Sequence, residues 1–215
     1  MYDLIIAATA LFTLGYGCPL QAQAEVELDA QHVFGAKGEV NYAILQIARE
    51  AHRPVGIVGN TWGEHCNAPV SIEAGTLRSA LDMIAAQCPV WSWHRVGRSI
   101  VFHLSRTVDS PLEVVVGFYS ATRMDWAGAL IAAMDAPEIK AWLKENDETA
   151  NQEWVISGVY QSGKHVEPKK EPLVSIRLNH VKLAGLFDEI ASAAGYSVWY
   201  MRVEGRGRQV IVSLR

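Results

Sequence analysis

Apolar positions recur along this chain in two matched blocks. In the first, Leu77, Ala80, Leu81, Ile84, Ala85 and Cys88 fall at i, i+3, i+4, i+7, i+8 and i+11; Leu183, Leu186, Phe187, Ile190, Ala191 and Ala194 repeat those intervals. Each set predicts one apolar stripe on one helix. The strand-like Val-Ser-Ile at 70–72 precedes the first set and reappears at 174–176 ahead of the second. The strands are offset by 104 positions and the helices by 106, so the second copy gains two residues in the turn between them. A period this long predicts paired domains rather than a solenoid.

The flanking pattern extends each block into a longer unit. Val40, Ala43, Ile44, Ile47, Ala48 and Ala51 predict a helix over about 39–52, ended by Arg53-Pro54 because the residue before proline leaves the helical region. A strand is expected at 55–58, a turn-rich loop at 59–69, a helix with Thr76 as candidate N-cap, and strands at 90–96 and 99–104. A short segment around His32-Val33-Phe34 reads as an edge strand ahead of these. The second unit opens on a β-prone run at 112–119. A helix through Trp126, Ala129, Leu130, Ala133 and Met134 follows, with an extra helical piece at 138–145. Residues 154–159 read as the counterpart of the strand at 55–58, and the chain closes on a hairpin of 196–203 with 209–214. The expected fold class is α+β: two similar small domains, each with two helices packed on small β-sheets, in the order strand-helix-strand-strand-helix-strand-strand. Residues 25–106 form the first unit and 107–215 the second, with 106–111 as the linker.

Residues 1–24 lie outside that scheme. The apolar run at 4–14, followed by Gly15, Gly17, Pro19 and Ala22-Gln23-Ala24, reads as a cleaved export signal, although Asp3 stands where a basic residue is usual. The run is too short to cross a bilayer. Cys18 opens a rival reading, lipoprotein processing with an outer-membrane anchor, but Leu14-Gly15-Tyr16-Gly17 fits a lipobox poorly. Export therefore predicts a periplasmic or secreted protein.

Export changes the meaning of the cysteines. Cleavage after Ala24 leaves Cys66 and Cys88, an even number in an oxidising compartment, where a disulfide is expected. It would close a loop of about 20 residues and contribute about 3 kcal/mol. Buried free thiols are one alternative. A metal site of His65, Cys66, Cys88 and His94 is another, without supporting ligand spacing.

Charge excludes more than it assigns. The net charge is −4, and removing residues 1–24 removes only Asp3, leaving −3; neither value is the footprint of a nucleic-acid binder. There is no G-x-S-x-G, H-E-x-x-H, P-loop or dinucleotide fingerprint. No cofactor, catalytic residue or metal ligand is assigned, and the chain reads as a non-enzyme. His94 and His103 lie on the two strands of the first hairpin and could face each other, but a general base needs a positioned partner. Asp82 and the pair Asp188-Glu189 fall off their helices' stripes and read as solvated faces. Trp93 and Trp199 occupy corresponding positions and read as core. Trp62 and His65, in the Gly-containing loop, are candidates for binding a partner. Arg202, Arg206 and Arg208, around the Gly205–Arg208 turn, are candidates for an acidic partner or a lipid headgroup.

The V-S-I strand, the short turn, the L-x-x-A-L-D-x-I helix and the closing hairpin together resemble the secretin and TonB short N-terminal (STN) domain. The resemblance is strongest over 69–104 and recognisable over 173–214. It implies two helices packed with two small sheets, in a periplasmic module that acts through protein contacts. No barrel, secretin core or TonB box accompanies it here, so channel and receptor activities are not implied. The resulting expectation is an exported protein–protein interaction module of an envelope system, with envelope protein partners, no nucleic acid, and outer-membrane association or homo-oligomerisation as extensions. Two alternatives are a ligand-binding or hydrolytic protein whose cleft lies between the units, gathering His94, His103 and the 62–66 loop, and a self-assembling structural component.

Overall fold

The computed structural model describes residues 27–59, 66, 68–104, 110–146, 149–151, 160–161, 164–165, 172–204 and 209–214. The first unit runs β1 (Gln31–Gly38), α1 (Val40–Glu50), β2 (Val55–Gly59), β3 (Val70–Thr76), α2 (Leu77–Gln87), β4 (Trp91–Val96) and β5 (Ser99–Leu104). The second runs β6 (Val115–Met124), α3 (Trp126–Met134), α4 (Pro137–Glu145), β7 (Thr149–Asn151), β8 (Tyr160–Gln161), β9 (Lys164–His165), β10 (Val174–Lys182), α5 (Leu183–Ala194), β11 (Val198–Glu204) and β12 (Gln209–Leu214). The class is mixed α+β, and the order of the first unit returns in the second with α4 and the short β8–β9 hairpin inserted.

Local chemistry accounts for the helix boundaries. Thr76 caps α2 by accepting from the Ser79 backbone N–H, while the Ser79 hydroxyl accepts from the Thr76 N–H, a reciprocal pair that satisfies two free donors. Asp125 caps α3 through the Gly128 N–H, and Pro137 opens α4 at the position where its missing N–H costs nothing. Gly195 ends α5 with φ of 79°, a left-handed conformation that favours glycine. The apolar stripes face inward: Leu77, Ala80, Leu81 and Ile84 on α2 are buried, as are Leu183, Leu186, Phe187, Ile190, Ala191 and Ala194 on α5.

Pairing repeats as closely as order does. In each unit the first strand lies antiparallel to the strand that leads into the second large helix, β1 with β3 and β6 with β10. In each unit a closing hairpin, β4–β5 or β11–β12, takes a parallel strand on its last member: β2 on β5, β7 on β12. The counterpart of β2 is thus β7, at 149–151; the 154–159 stretch, which the sequence reads in that role, lies outside the described residues.

What the hydrophobic pattern does not announce is that the two three-stranded sheets fuse. β2 pairs in parallel with β11, giving one six-stranded sheet in the order β4-β5-β2-β11-β12-β7. The fusion explains why β2 is buried at four consecutive positions, Val55 to Val58, instead of at alternate ones: it is an interior strand covered on both faces. The two faces serve different cores. Val55, Ile57, Ile100, Phe102 and Val198 pack with α1 and α2 in one cluster, whereas Val58, Val101, Trp199, Met201 and Val212 pack with α3, α4 and α5 in the other. Side chains alternate across a strand, so the shared sheet separates two cores, each covered by one unit's helices and lined by strands of both units.

At the seam, Gly56 stands opposite Trp199, and a Cβ built on that glycine would lie 2.1 Å from the indole. Only a residue without a side chain lets the ring cross the neighbouring strand here.

Candidate functional site

Two places combine unusual chemistry with access: a cleft between the units, and the outer side of β4. The cleft has a volume of about 870 Å³ and draws its walls from the end of α1, the β4–β5 turn, β10 and α5; its charged and polar lining includes His52, Arg53, Arg98, His180, Lys182 and Asp188. His52 and His180 both hold positive φ, 50° and 48°. At His52 the reason is local, since it follows the α1 C-cap Ala51, and the next residue returns a bond from its N–H to the Ala48 carbonyl.

Asp188 forms the floor. The sequence places it off the stripe of α5 and reads it as solvated; the structure leaves it half-buried, lining the cleft, with β2 and β5 of the first unit against that side of the helix. Its Oδ1 accepts from the Trp199 indole N–H at 2.7 Å. Burial pushes its pKa up to about 7, with the Trp199 N–H, the Ser99 hydroxyl and the Arg53 charge pulling the other way. Ser99 Oγ is wholly buried and makes no hydrogen bond of normal geometry. Burial also lowers the Arg53 pKa, opposed by the charges of Asp188 and Glu27. The remaining charges largely answer one another: Arg53 and Arg98 both meet Glu27, at 3.2 and 3.5 Å, and Lys182 meets Glu113. Among the described residues the cleft therefore has a half-buried acid whose pKa is raised to about 7, but no nucleophile held by a base.

The residues singled out by sequence sort as follows. Cys66 and Cys88 are joined in a disulfide, with Cα atoms 5.4 Å apart. It ties the segment before β3 to the C-terminal end of α2. Trp62, His65, Arg206 and Arg208 lie outside the described residues. Arg202 is half-buried on β11, beside Gly59 of β2. His94 and His103 do face each other, ring centroids 4.7 Å apart. His103 lies 2.9 Å from the Leu104 carbonyl through Nδ1 and 3.2 Å from Ser92 Oγ through Nε2. Burial first, and His103 second, lower the His94 pKa. Neither histidine lines the cleft. No group of three His, Cys, Asp or Glu side chains suited to a metal occurs among the described residues.

β4 is the second place. Among the described strands it has a neighbour on one side only, β5. Its Trp93 donates from Nε1 to Asp82 Oδ1 at 2.8 Å, the same bond that Trp199 makes to Asp188, across the same eleven-residue separation. Sequence reasoning had the signal for this pair, since Asp82 and Trp93 both shift by 106 onto Asp188 and Trp199, but read the two residue types separately. Trp199 is fully buried under β2; Trp93, without such a neighbour among the described residues, is half-buried. The two-stranded β1–β3 and β6–β10 sheets likewise end in strands with one described partner each, and β6 exposes Val115, Phe118 and Met124.

No protein family, curated protein or solved structure matches this chain. Among the described residues, no helix is long and apolar enough to cross a membrane.

Proposed function

We propose that this chain is an exported interaction module of the cell envelope, built from two units of the STN type, which binds protein partners by adding an extended segment to a sheet edge. The observation that carries the reading is that eight of the described strands have one described neighbour: β4 and β7 at the two ends of the six-stranded sheet, and β1, β3, β6, β10, β8 and β9 in the two-stranded ones. Such strands hold a row of backbone donors and acceptors that a partner strand can satisfy, with side-chain positions on alternate faces supplying selectivity. The Cys66–Cys88 bond fits an oxidising compartment, in keeping with the signal-like segment at 1–24. Envelope proteins of a secretin or TonB-type system are the partners the resemblance suggests, and outer-membrane association and self-assembly follow from it as extensions.

The test is crosslinking of the mature chain, residues 25–215, in its native envelope, followed by mass spectrometry of captured proteins and mapping of the crosslinked segments. One recurrent envelope protein crosslinked to the strand-edge residues is expected. Recovery of no protein partner overturns the reading, as does a partner attached only through the inter-unit cleft.

A further inference from the structure

The molecule contains a worked example of what one of its own edges accepts. The hairpins β4–β5 and β11–β12 correspond, down to the Trp93–Asp82 and Trp199–Asp188 bonds. The outer side of β11 is occupied by β2, running parallel, in the register Val198 to Val55, Trp199 to Gly56, Tyr200 to Ile57 and Met201 to Val58. The corresponding side of β4 has no described neighbour. The occupant of the first edge is therefore a template for the occupant of the second, corrected for the side chains that differ.

Applying the template, Trp93 stands for Trp199 and needs glycine opposite, because the indole that crosses the adjacent strand excludes a Cβ there. Two residues further on, Arg95 stands for Met201. A cation replaces an apolar side chain at the position that faces Val58 in the template, so the matching residue of the occupant changes from valine to a carboxylate. Ser92 and His94 replace Val198 and Tyr200 on the opposite face, where β2 supplies Val55 and Ile57.

We propose that β4 binds a separate partner segment in extended conformation, parallel to the strand, with glycine opposite Trp93 and an acidic residue opposite Arg95. This rests on the interaction-module reading and names its edge, orientation and sequence requirement. β2 itself cannot serve, being held between β5 and β11.

A synthetic peptide with the sequence of residues 51–60 and the change Val58→Asp is the probe, added to the full mature chain. Expected results are at least a tenfold slowing of amide hydrogen exchange in residues 91–96, and binding at least tenfold weaker for a second peptide carrying Gly56→Val. In a Trp93→Leu protein, shown by urea unfolding to be folded, the preference for glycine over valine disappears. Equal binding of the two peptides to the unmodified protein overturns the register. No binding of either overturns the edge assignment, but leaves the wider reading standing if a crosslinked envelope partner is still captured by Trp93→Leu. Concentration-dependent protection of 91–96 without peptide, together with a dimer in sedimentation, overturns the separate partner in favour of a second copy of the chain.

Discussion

The Trp199 indole occupies the space that a side chain on Gly56 would need. The two residues sit opposite each other on parallel strands from different units, and a Cβ at Gly56 would meet three ring carbons at 2.1 to 2.6 Å. On its other side the ring packs edge-on against Phe187 at 5.3 Å, and its N–H is committed to Asp188. It has nowhere to retreat.

Gly56→Val is accordingly expected to destabilise the protein by about 3 kcal/mol or more, at or beyond the top of the usual range for overpacking. Urea unfolding followed by far-ultraviolet circular dichroism measures the loss. Combining the change with Trp199→Leu is expected to recover part of it, giving a non-additive cycle, since the two sites share one volume.

Asp188 gives the fold a pH signature. Its pKa is about 7 when folded, against an ordinary 3.8, so the folded state holds a proton that the unfolded state has released between those values. Stability from this group is therefore greatest below about pH 4 and declines as pH rises towards 7, at up to about 1.4 kcal/mol per unit. Asp188→Asn keeps an acceptor for Trp199 and removes the proton. Its melting temperature, relative to the unmodified protein, is expected to gain from pH 5 to about pH 7 and to level off above that.

Reduction of Cys66–Cys88 releases a loop with a sequence separation of 22. The cost is expected to be about 3 kcal/mol, through greater freedom of the unfolded chain. Replacing both cysteines by alanine, in protein kept in reductant, should reproduce the same fall in urea midpoint. Replacing only one should match it without exceeding it.

Thr76→Ala removes the acceptor for the Ser79 N–H at the start of α2 and is expected to cost about 1 kcal/mol. The corresponding residue before α5, Lys182, makes no side-chain cap, so Lys182→Ala should leave that helix start unchanged. Its effect should instead be the small loss of one exposed ion pair with Glu113. Denaturant midpoints of the two variants measure the contrast.

The helices, the Thr76 cap, the hairpins and the repeat were legible because each is encoded by neighbours within about a dozen positions. β7 was not: Thr149–Asn151 has little strand preference and takes its form from pairing with β12. The fused sheet left one readable trace, the unbroken apolar run Val55-Gly56-Ile57-Val58, whose lack of alternation marks an interior strand. The partial covering of Asp188 left none on its own helix. Its cover comes from residues 53 and 99, brought there by the pairing of β2 with β11, and no periodicity in α5 records that.

The two units join by unlike sides, and the second is turned over with its strands reversed, since β11 runs with β2 while β4 runs against β5. A half-turn combined with a step along the sheet never brings an object back onto itself. Two units of the same order thus produce a molecule with a front and a rear, β4 at one extremity of the described sheet and β7 at the other. Whatever aligns with either extremity is given a direction as well as a place.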